Sequence, residues 1–215
     1  MAGTQHPHHG QPLLAQGAPL DRARAALIML HGRGASAQDI LALVPELDRP
    51  AFAYLAPQAA SNAWYPNSFL APLESNQPYL DSALKRVGEV LAQVAGAGIP
   101  PERTMLLGFS QGACLATEYV ARHARRYGGV AGLSGGLIGP DGTPRDYAGS
   151  LDGTPVFLGC SDVDFHIPKA RVQHTTQVLR DLGAQVTERL YPHMGHTVNQ
   201  DELDFVRGMV AALAG

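Results

Sequence analysis

Residues 104–113 read TMLLGFSQGA, and this stretch decides how the chain folds. It begins with apolar residues typical of a buried strand, passes through Gly-x-Ser-x-Gly, and continues into a segment that favours a helix. So sharp a turn strains the backbone of Ser110, and Gly108 and Gly112 leave room for it because neither carries a Cβ. We therefore predict that Ser110 projects its hydroxyl from the end of a strand, beside the amide of Gln111 at the start of the helix.

Strand-like and helix-like segments alternate along the rest of the chain. Apolar runs and alternating patterns predict strands at residues 25–30, 52–56, 129–133, 155–159 and 185–191, with a short edge strand at 12–15. Capping signals and helical periodicity predict helices at residues 36–47, 78–94, 111–123 and 169–182, and from 199 onward. This alternation predicts an α/β protein with a doubly wound, mostly parallel sheet, helices on both faces and no separate cap domain.

The composition is that of a folded protein. Of the 215 residues, 45% are hydrophobic and 16% are charged. The formal net charge of −3, without a basic stripe, argues against nucleic acid as a partner. No apolar run has membrane-spanning length, and residues 1–16 lack the pattern of a secretory signal. We therefore expect a cytoplasmic protein without integral membrane contact.

The length predicts one domain over residues 20–215, preceded by a flexible N-terminal segment over residues 1–19. The first ten residues are rich in His, Pro and Gly, and their histidines lack the carboxylate or thiol support of a good metal site. Cys114 and Cys160 lie in apolar runs and are expected to be core thiols. The sequence therefore predicts neither a bound metal nor a disulfide framework.

A serine hydroxyl barely ionises at neutral pH, so a nucleophilic Ser110 needs a base and an acid that orients the base. Asp162 and Asp164 follow the strand at 155–159, and His193 and His196 follow the strand at 185–191. The chain order Ser, Asp, His matches that of a nucleophile elbow. Spacing does not choose between the two aspartates, and it favours His196 over His193 only slightly, because the flexible Gly195 precedes it.

The oxyanion hole and the walls of the site are expected at the same strand ends. An oxyanion hole needs backbone amides, one from Gln111 and one from the loop His31-Gly32-Arg33-Gly34, in which His31 is expected to be structural. The long loop at 58–77 and the excursion at 137–149 are expected to wall an open site that favours short or medium acyl chains. The side chains expected to contact substrate are Trp64, Tyr65, Phe69 and Phe109, although core packing explains the aromatic residues of the loop equally well.

Four motifs together resemble the phospholipase/carboxylesterase family of α/β-hydrolases, which includes the acyl-protein thioesterases. They are the segments at residues 30–34, 108–113, 164–168 and 194–197, and the resemblance runs from about Leu27 to the C-terminus. It implies the α/β-hydrolase fold, with Asp164 as the acid, His196 as the base, and the amides of Arg33 and Gln111 as the oxyanion hole. The loop around Trp64 only loosely resembles that of the thioesterases, and Arg33 stands where they carry an apolar residue, which favours the bacterial carboxylesterase branch.

The sequence therefore predicts a serine carboxylesterase. It would hydrolyse small esters of short to medium acyl chain through an acyl-enzyme on Ser110, without a cofactor or metal. The alternatives are an acyl thioesterase or lysophospholipase of the same family, and a non-catalytic interaction module on a hydrolase fold. The fold would also support a homodimer.

Overall fold

The apolar runs of the sequence form the strands of one seven-stranded sheet. The structure is a computed structural model that describes residues 6–214. The strands are β1 Leu13–Gly17, β2 Ala25–Leu30, β3 Phe52–Pro57, β4 Thr104–Phe109, β5 Gly129–Leu133, β6 Pro155–Ser161 and β7 Gln185–Tyr191. They lie in the order β1-β3-β2-β4-β5-β6-β7. Only β1 pairs antiparallel, so six strands end at the same edge of the sheet and the predicted mostly parallel architecture is confirmed.

Helices cover both faces of this sheet. They are α1 Ala37–Leu41, α2 Val44–Leu47, α3 Tyr79–Gly96, α4 Gln111–Arg122, α5 Lys169–Asp181 and α6 Gln200–Ala214. Alternate residues of β2 face opposite layers: Ile28 packs with the apolar residues of α3, α4 and α5, and Leu27 with those of α1, α2 and α6. Each side of the sheet therefore has its own apolar core, and β2 and β4 are buried on both faces.

The prediction of one helix from Ser36 to Leu47 is wrong in one respect: the structure has two short helices there, α1 and α2. Its start is as predicted: the side chain of Ser36 accepts from the amide of Asp39, and the Asp39 carboxylate accepts from the amide of Ser36. The helix then ends at Leu41, and Pro45 lies in the first turn of α2. Proline has no N–H to donate to the preceding turn, so one continuous helix would lack a hydrogen bond there.

The N-terminal segment also needs correction. The predicted flexible segment covers residues 1–19, of which residues 1–5 lie outside the described residues. In the described part, β1 adds an antiparallel edge strand to β3, and His8 is fully buried. The amide of His8 donates to the Ser82 hydroxyl of α3 at 3.0 Å. The folded unit therefore includes residues before position 20. Composition alone does not reveal this, because it shows neither the pairing of β1 with β3 nor the hydrogen bond from His8 to α3.

The turn around Ser110 is held by very close backbone packing. Ser110 has φ 53° and ψ −119°, a conformation that L-residues rarely adopt. A Cβ on Gly108 would collide with the backbone of Gly112, and a Cβ on Gly112 would collide with the carbonyl of Leu30. The start of α4 thus lies directly against β2 and β4, and glycine is required at both positions.

Replacing Gly112 by alanine is expected to destabilise the fold by about 3 kcal/mol or more, because the added methyl has only backbone to displace. Denaturant unfolding measures this loss. Gly208→Ala is the matched control: Gly208 lies in α6 with nothing within 4 Å of an added Cβ. This control should be neutral or stabilise the protein by about 0.5–1 kcal/mol. Equal stability of the two variants would contradict the packing described for the turn.

A buried carboxyl group begins the last helix. The amide of Asn199 donates to Glu202 Oε2, and the amide of Glu202 donates to Asn199 Oδ1, both at 2.9 Å. Glu202 Oε1 is buried against Gly159 of β6 and has no hydrogen-bond partner among the described residues. Burial raises the pKa of Glu202 to about 7, despite the Asn199 hydrogen bond that lowers it. This pair holds the start of α6 against the edge of the sheet where β6 ends.

Glu202 should make stability depend on pH. Its folded pKa of about 7 exceeds the unfolded value of about 4.3, so between these values the folded state keeps a proton that the unfolded state loses. Wild-type stability should therefore fall as pH rises through this window. Glu202→Gln has no such proton, and its stability relative to wild type should rise by up to about 3 kcal/mol from pH 4.5 to 7. Unfolding titrations across this range measure the difference, with the exposed Glu102→Gln as control. If the free energies of unfolding of wild type and Glu202→Gln changed equally with pH, the raised pKa of the buried Glu202 would be contradicted.

Candidate active site

Three polar side chains meet where three parallel strands end. Ser110 follows β4, Asp164 follows β6, and His196 follows β7. His196 Nε2 lies 2.8 Å from Ser110 Oγ, and His196 Nδ1 lies 2.7 Å from Asp164 Oδ2. Because a carboxylate only accepts, Nδ1 carries a proton toward Asp164 and leaves Nε2 of a neutral imidazole free to accept from the hydroxyl. The structure thus brings together the three residues that the resemblance implied.

Asp164 is held as a charged acceptor. Its Oδ1 accepts from the amide of His166 at 2.8 Å and from that of Ile167 at 3.0 Å. Burial alone would raise the pKa of Asp164, but the hydrogen bonds from His196 and from these two amides outweigh it and lower the pKa. A charged carboxylate fixed on both oxygens keeps the imidazole in one orientation and one tautomer.

The rival residues, Asp162 and His193, form a different contact. The amide of His193 donates to Asp162 Oδ1 at 2.9 Å, and His193 has φ 53° at the turn after β7. Asp162 is therefore a turn-forming carboxylate that ties the loop after β6 to the loop after β7. Asp162 and His193 therefore stand outside the hydrogen-bonded chain of Ser110, His196 and Asp164.

The two cysteines are buried thiols. Cys114 lies one helical turn beyond Ser110, and burial raises its pKa to about 12. Burial likewise raises the pKa of Cys160 to about 12. Both are protonated at neutral pH, which makes a cysteine nucleophile unsuitable here. Within residues 6–214, no group of three or more His, Cys, Asp or Glu side chains is arranged to hold a metal ion.

The loop after β2 lies against Ser110. A methyl placed on Gly32 would come within 3.4 Å of Ser110 Cβ, so the two segments are in contact. The amides of Arg33 and Gln111 have no acceptor among the described residues. His31 orders this loop: its Nδ1 donates to the Gly32 carbonyl at 2.8 Å, and its Nε2 accepts from the amide of Ala59 at 3.1 Å. His31 is therefore structural, as the sequence predicts, and burial lowers its pKa.

The residues of the expected oxyanion hole also hold the long loop in place with their side chains. The guanidinium of Arg33 donates to the carbonyl of Pro66 at 2.8 Å and to that of Asn67 at 2.6 Å. The side-chain amide of Gln111 accepts from the amide of Trp64 and donates to the carbonyl of Tyr65, both at 2.8 Å. The same two residues thus offer backbone amides to the site and fix one of its walls.

A cavity of about 670 Å³ opens beside Ser110 and His196. Tyr65, Phe69 and Phe109, three of the four side chains predicted to contact substrate, line it. Trp64 does not, and its predicted substrate contact is wrong: it is fully buried, and its indole N–H donates to the His31 carbonyl at 2.9 Å. A buried indole needs an acceptor for its N–H, and the loop after β2 provides it.

Two features of the wall differ from expectation. The excursion at 137–149 does not line the cavity but supports it from behind, because the amide of Gly139 donates to the Phe69 carbonyl at 2.7 Å. His166 lines the cavity, with its ring 4.8 Å from that of His196. Sequence reasoning missed His166, although its place two residues after Asp164 in a strand-end turn was the available signal.

The comparisons with known proteins agree with this geometry. The family model described as Phospholipase/Carboxylesterase matches residues 16–213. The crystal structure of a phospholipase/carboxylesterase from Dyadobacter fermentans is 45% identical, with a TM-score of 0.91 over 94% of this chain and 97% of that one. Acyl-protein thioesterase 1 of Gibberella zeae is 32% identical over 124 residues, covering 56% of this chain and only 52% of its own length. A probable carboxylesterase of Arabidopsis thaliana, described as SOBER1-like, is 25% identical over 202 residues, 86% of this chain and 77% of its own.

These matches confirm the predicted α/β-hydrolase fold and the resemblance carried by the four motifs. No helix within residues 6–214 is long and apolar enough to cross a bilayer. The match of the family model extends over almost the whole chain and includes β4, the turn at Ser110 and the loops of Asp164 and His196. The chain belongs to the phospholipase/carboxylesterase family, a family of hydrolases that act on esters.

Proposed function

We propose that this protein is a serine carboxylesterase with Ser110 as nucleophile, His196 as general base and Asp164 as the orienting acid. One observation carries the proposal: an unbroken hydrogen-bonded chain runs from Ser110 Oγ through both ring nitrogens of His196 to Asp164, at the mouth of a cavity. This arrangement supplies what a serine hydroxyl needs to attack a carbonyl at neutral pH.

In the acylation half-reaction, His196 Nε2 removes the proton from Ser110 as Oγ forms a bond to the carbonyl carbon of the ester. The carbonyl oxygen becomes an oxyanion, which accepts hydrogen bonds from the amides of Arg33 and Gln111. The amide of Gln111 lies at the N-terminus of α4, where the helix dipole also favours negative charge. The imidazolium then gives its proton to the leaving alcohol as the bond from carbon to the alcohol oxygen breaks.

Deacylation repeats these steps with water. His196 removes a proton from a water molecule, whose oxygen attacks the acyl-enzyme, and the proton then passes to Ser110 Oγ as the acid leaves. Asp164 stabilises the imidazolium in both halves and keeps Nδ1 protonated. The scheme uses only these side chains, two amides and water, so it requires neither a metal nor an organic cofactor.

The cavity favours small substrates with a short to medium acyl chain. Its volume of about 670 Å³ is within the range of about 300–1,000 Å³ common for small-molecule sites. Tyr65, Phe69 and Phe109 give it an aromatic lining suited to apolar chains. Thioesters are the second candidate class, because the same attack cleaves a carbon–sulfur bond and the Gibberella relative is called an acyl-protein thioesterase.

Replacing Ser110 by alanine should reduce turnover by at least about 10⁴-fold, since no other group would accept the acyl chain. The experiment is a panel of 4-nitrophenyl esters and acyl thioesters of increasing chain length, run with wild type, Ser110→Ala and Ser150→Ala. Ser150, an exposed residue before β6, is the control and should behave as wild type. Wild type should act most efficiently on short and medium chains. Retained turnover in Ser110→Ala would contradict the assignment of the nucleophile, and a preference for thioesters would select the second candidate.

The two neighbouring aspartates should behave differently when each is replaced by asparagine. Asp164→Asn should lower kcat by about 10⁴-fold, because an amide in place of the carboxylate no longer stabilises the imidazolium or enforces its tautomer. Asp162→Asn retains an oxygen that can accept from the amide of His193, and it should change kcat by less than about tenfold. Steady-state kinetics on one ester measure both effects. A larger loss in Asp162→Asn than in Asp164→Asn would overturn the assignment of the acid.

A further inference from the structure

His8 is a buried histidine that the proposed chemistry does not use. It belongs to the N-terminal segment, yet it is 0% exposed and contacts Trp64, the residue before Tyr65 of the cavity wall. Its Nε2 lies 2.9 Å from the carbonyl of Trp64, and its Nδ1 accepts from the amide of Ala60 at 3.0 Å. Its own amide is held by Ser82 of α3. All three contacts join the segment to distant parts of the chain.

These contacts require one form of the imidazole. A carbonyl only accepts and an amide only donates, so Nε2 must carry a proton and Nδ1 must not. His8 is therefore a neutral imidazole that is both donor and acceptor, and burial lowers its pKa in agreement with this form. Its ring also packs near the indole of Trp64, with the ring centroids 5.5 Å apart. Such a fully satisfied imidazole fixes the backbone of Trp64 from behind.

Trp64 connects His8 to both sides of the expected oxyanion hole. Its amide donates to the side chain of Gln111, whose own backbone amide is one proposed oxyanion donor. Its indole N–H donates to the carbonyl of His31, two residues before Arg33, which provides the other donor. A shift of Trp64 would therefore disturb both donors at once.

We propose that His8 is a positioning residue for the oxyanion hole, acting through its hydrogen bond to the carbonyl of Trp64. This inference rests on the proposed esterase function. Oxyanion donors act mainly in the transition state, so their misplacement lowers kcat and leaves substrate binding nearly unchanged. A segment that only anchors the fold would instead alter stability and the fraction of active molecules.

The test compares His8→Ala with His8→Gln, His8→Asn and the control His9→Ala. Glutamine places a donor near the position of Nε2 and keeps the bond to Trp64, whereas asparagine places an acceptor near Nδ1 and keeps only the bond from Ala60. His9 is exposed, so its substitution should have no effect. For each variant, kcat and KM on one short ester are measured per active site, counted by complete labelling with a fluorophosphonate, and the melting temperature is recorded.

We expect His8→Ala to lower kcat per labelled site by about 10- to 100-fold, with KM within about threefold of wild type. His8→Gln should recover most of the lost kcat, and His8→Asn should recover less. Wild-type kcat per labelled site in His8→Ala would overturn the proposal, as would a change confined to KM. If His8→Ala does not fold, the comparison of His8→Gln with His8→Asn decides, and equal kcat in these two variants would overturn it.

Two different results would refute the esterase function and the role of His8. A wild-type protein that neither reacts with the fluorophosphonate nor hydrolyses any ester would refute the esterase function itself. A wild type that is labelled and active, alongside a fully active His8→Ala, would refute only the role of His8.

Discussion

The close contact of α4 with β2 and β4 is the constraint on which the rest of the site depends. Gly108 and Gly112 bring these backbones so near that neither position has room for a side chain, and Ser110 is held in a strained conformation between them. The strain is maintained by two apolar cores, one on each face of the sheet. Because six strands end at one edge, the loops after β6 and β7 bring a carboxylate and an imidazole to the same hydroxyl.

Around this fixed turn, hydrogen bonds to backbone groups position the loops. Arg33 and Gln111 hold the segment from Trp64 to Asn67, and Asp162 joins the loops that carry Asp164 and His196. Each of these side chains replaces the regular pairing that a loop lacks, so irregular backbone becomes a defined wall. A site of this kind needs little rearrangement when charge develops on a substrate, which is the property that oxyanion stabilisation requires.

Sequence reasoning predicted what depends on periodicity and chain order. The strand at Ala25–Leu30 follows from its continuous apolar pattern. Strand-end position predicts Ser110 with two candidate aspartates and two candidate histidines, and the choice of Asp164 and His196 comes from the resemblance to the family. Sequence reasoning did not predict contacts between distant segments. Asp162 and Asp164 lie in the same turn and differ only in their hydrogen-bond partners, the amide of His193 for one and the ring of His196 for the other. Trp64 would appear the same in the sequence whether it was buried or lined a pocket. The His-rich segment around His8 has no periodic pattern that would predict its contacts. Pro45 differs from these cases, because its missing N–H is a signal in the sequence itself that a continuous helix is unfavourable there.

The crystal structure of the protein after reaction with an alkyl fluorophosphonate would show which residue is the nucleophile and which amides face the developing charge. We expect one phosphorus atom bonded to Ser110 Oγ, with the phosphoryl oxygen about 3 Å from the backbone nitrogens of both Arg33 and Gln111. The alkyl chain should enter the cavity lined by Tyr65, Phe69 and Phe109. A bond to any other residue, or a phosphoryl oxygen directed away from both amides, would contradict the account.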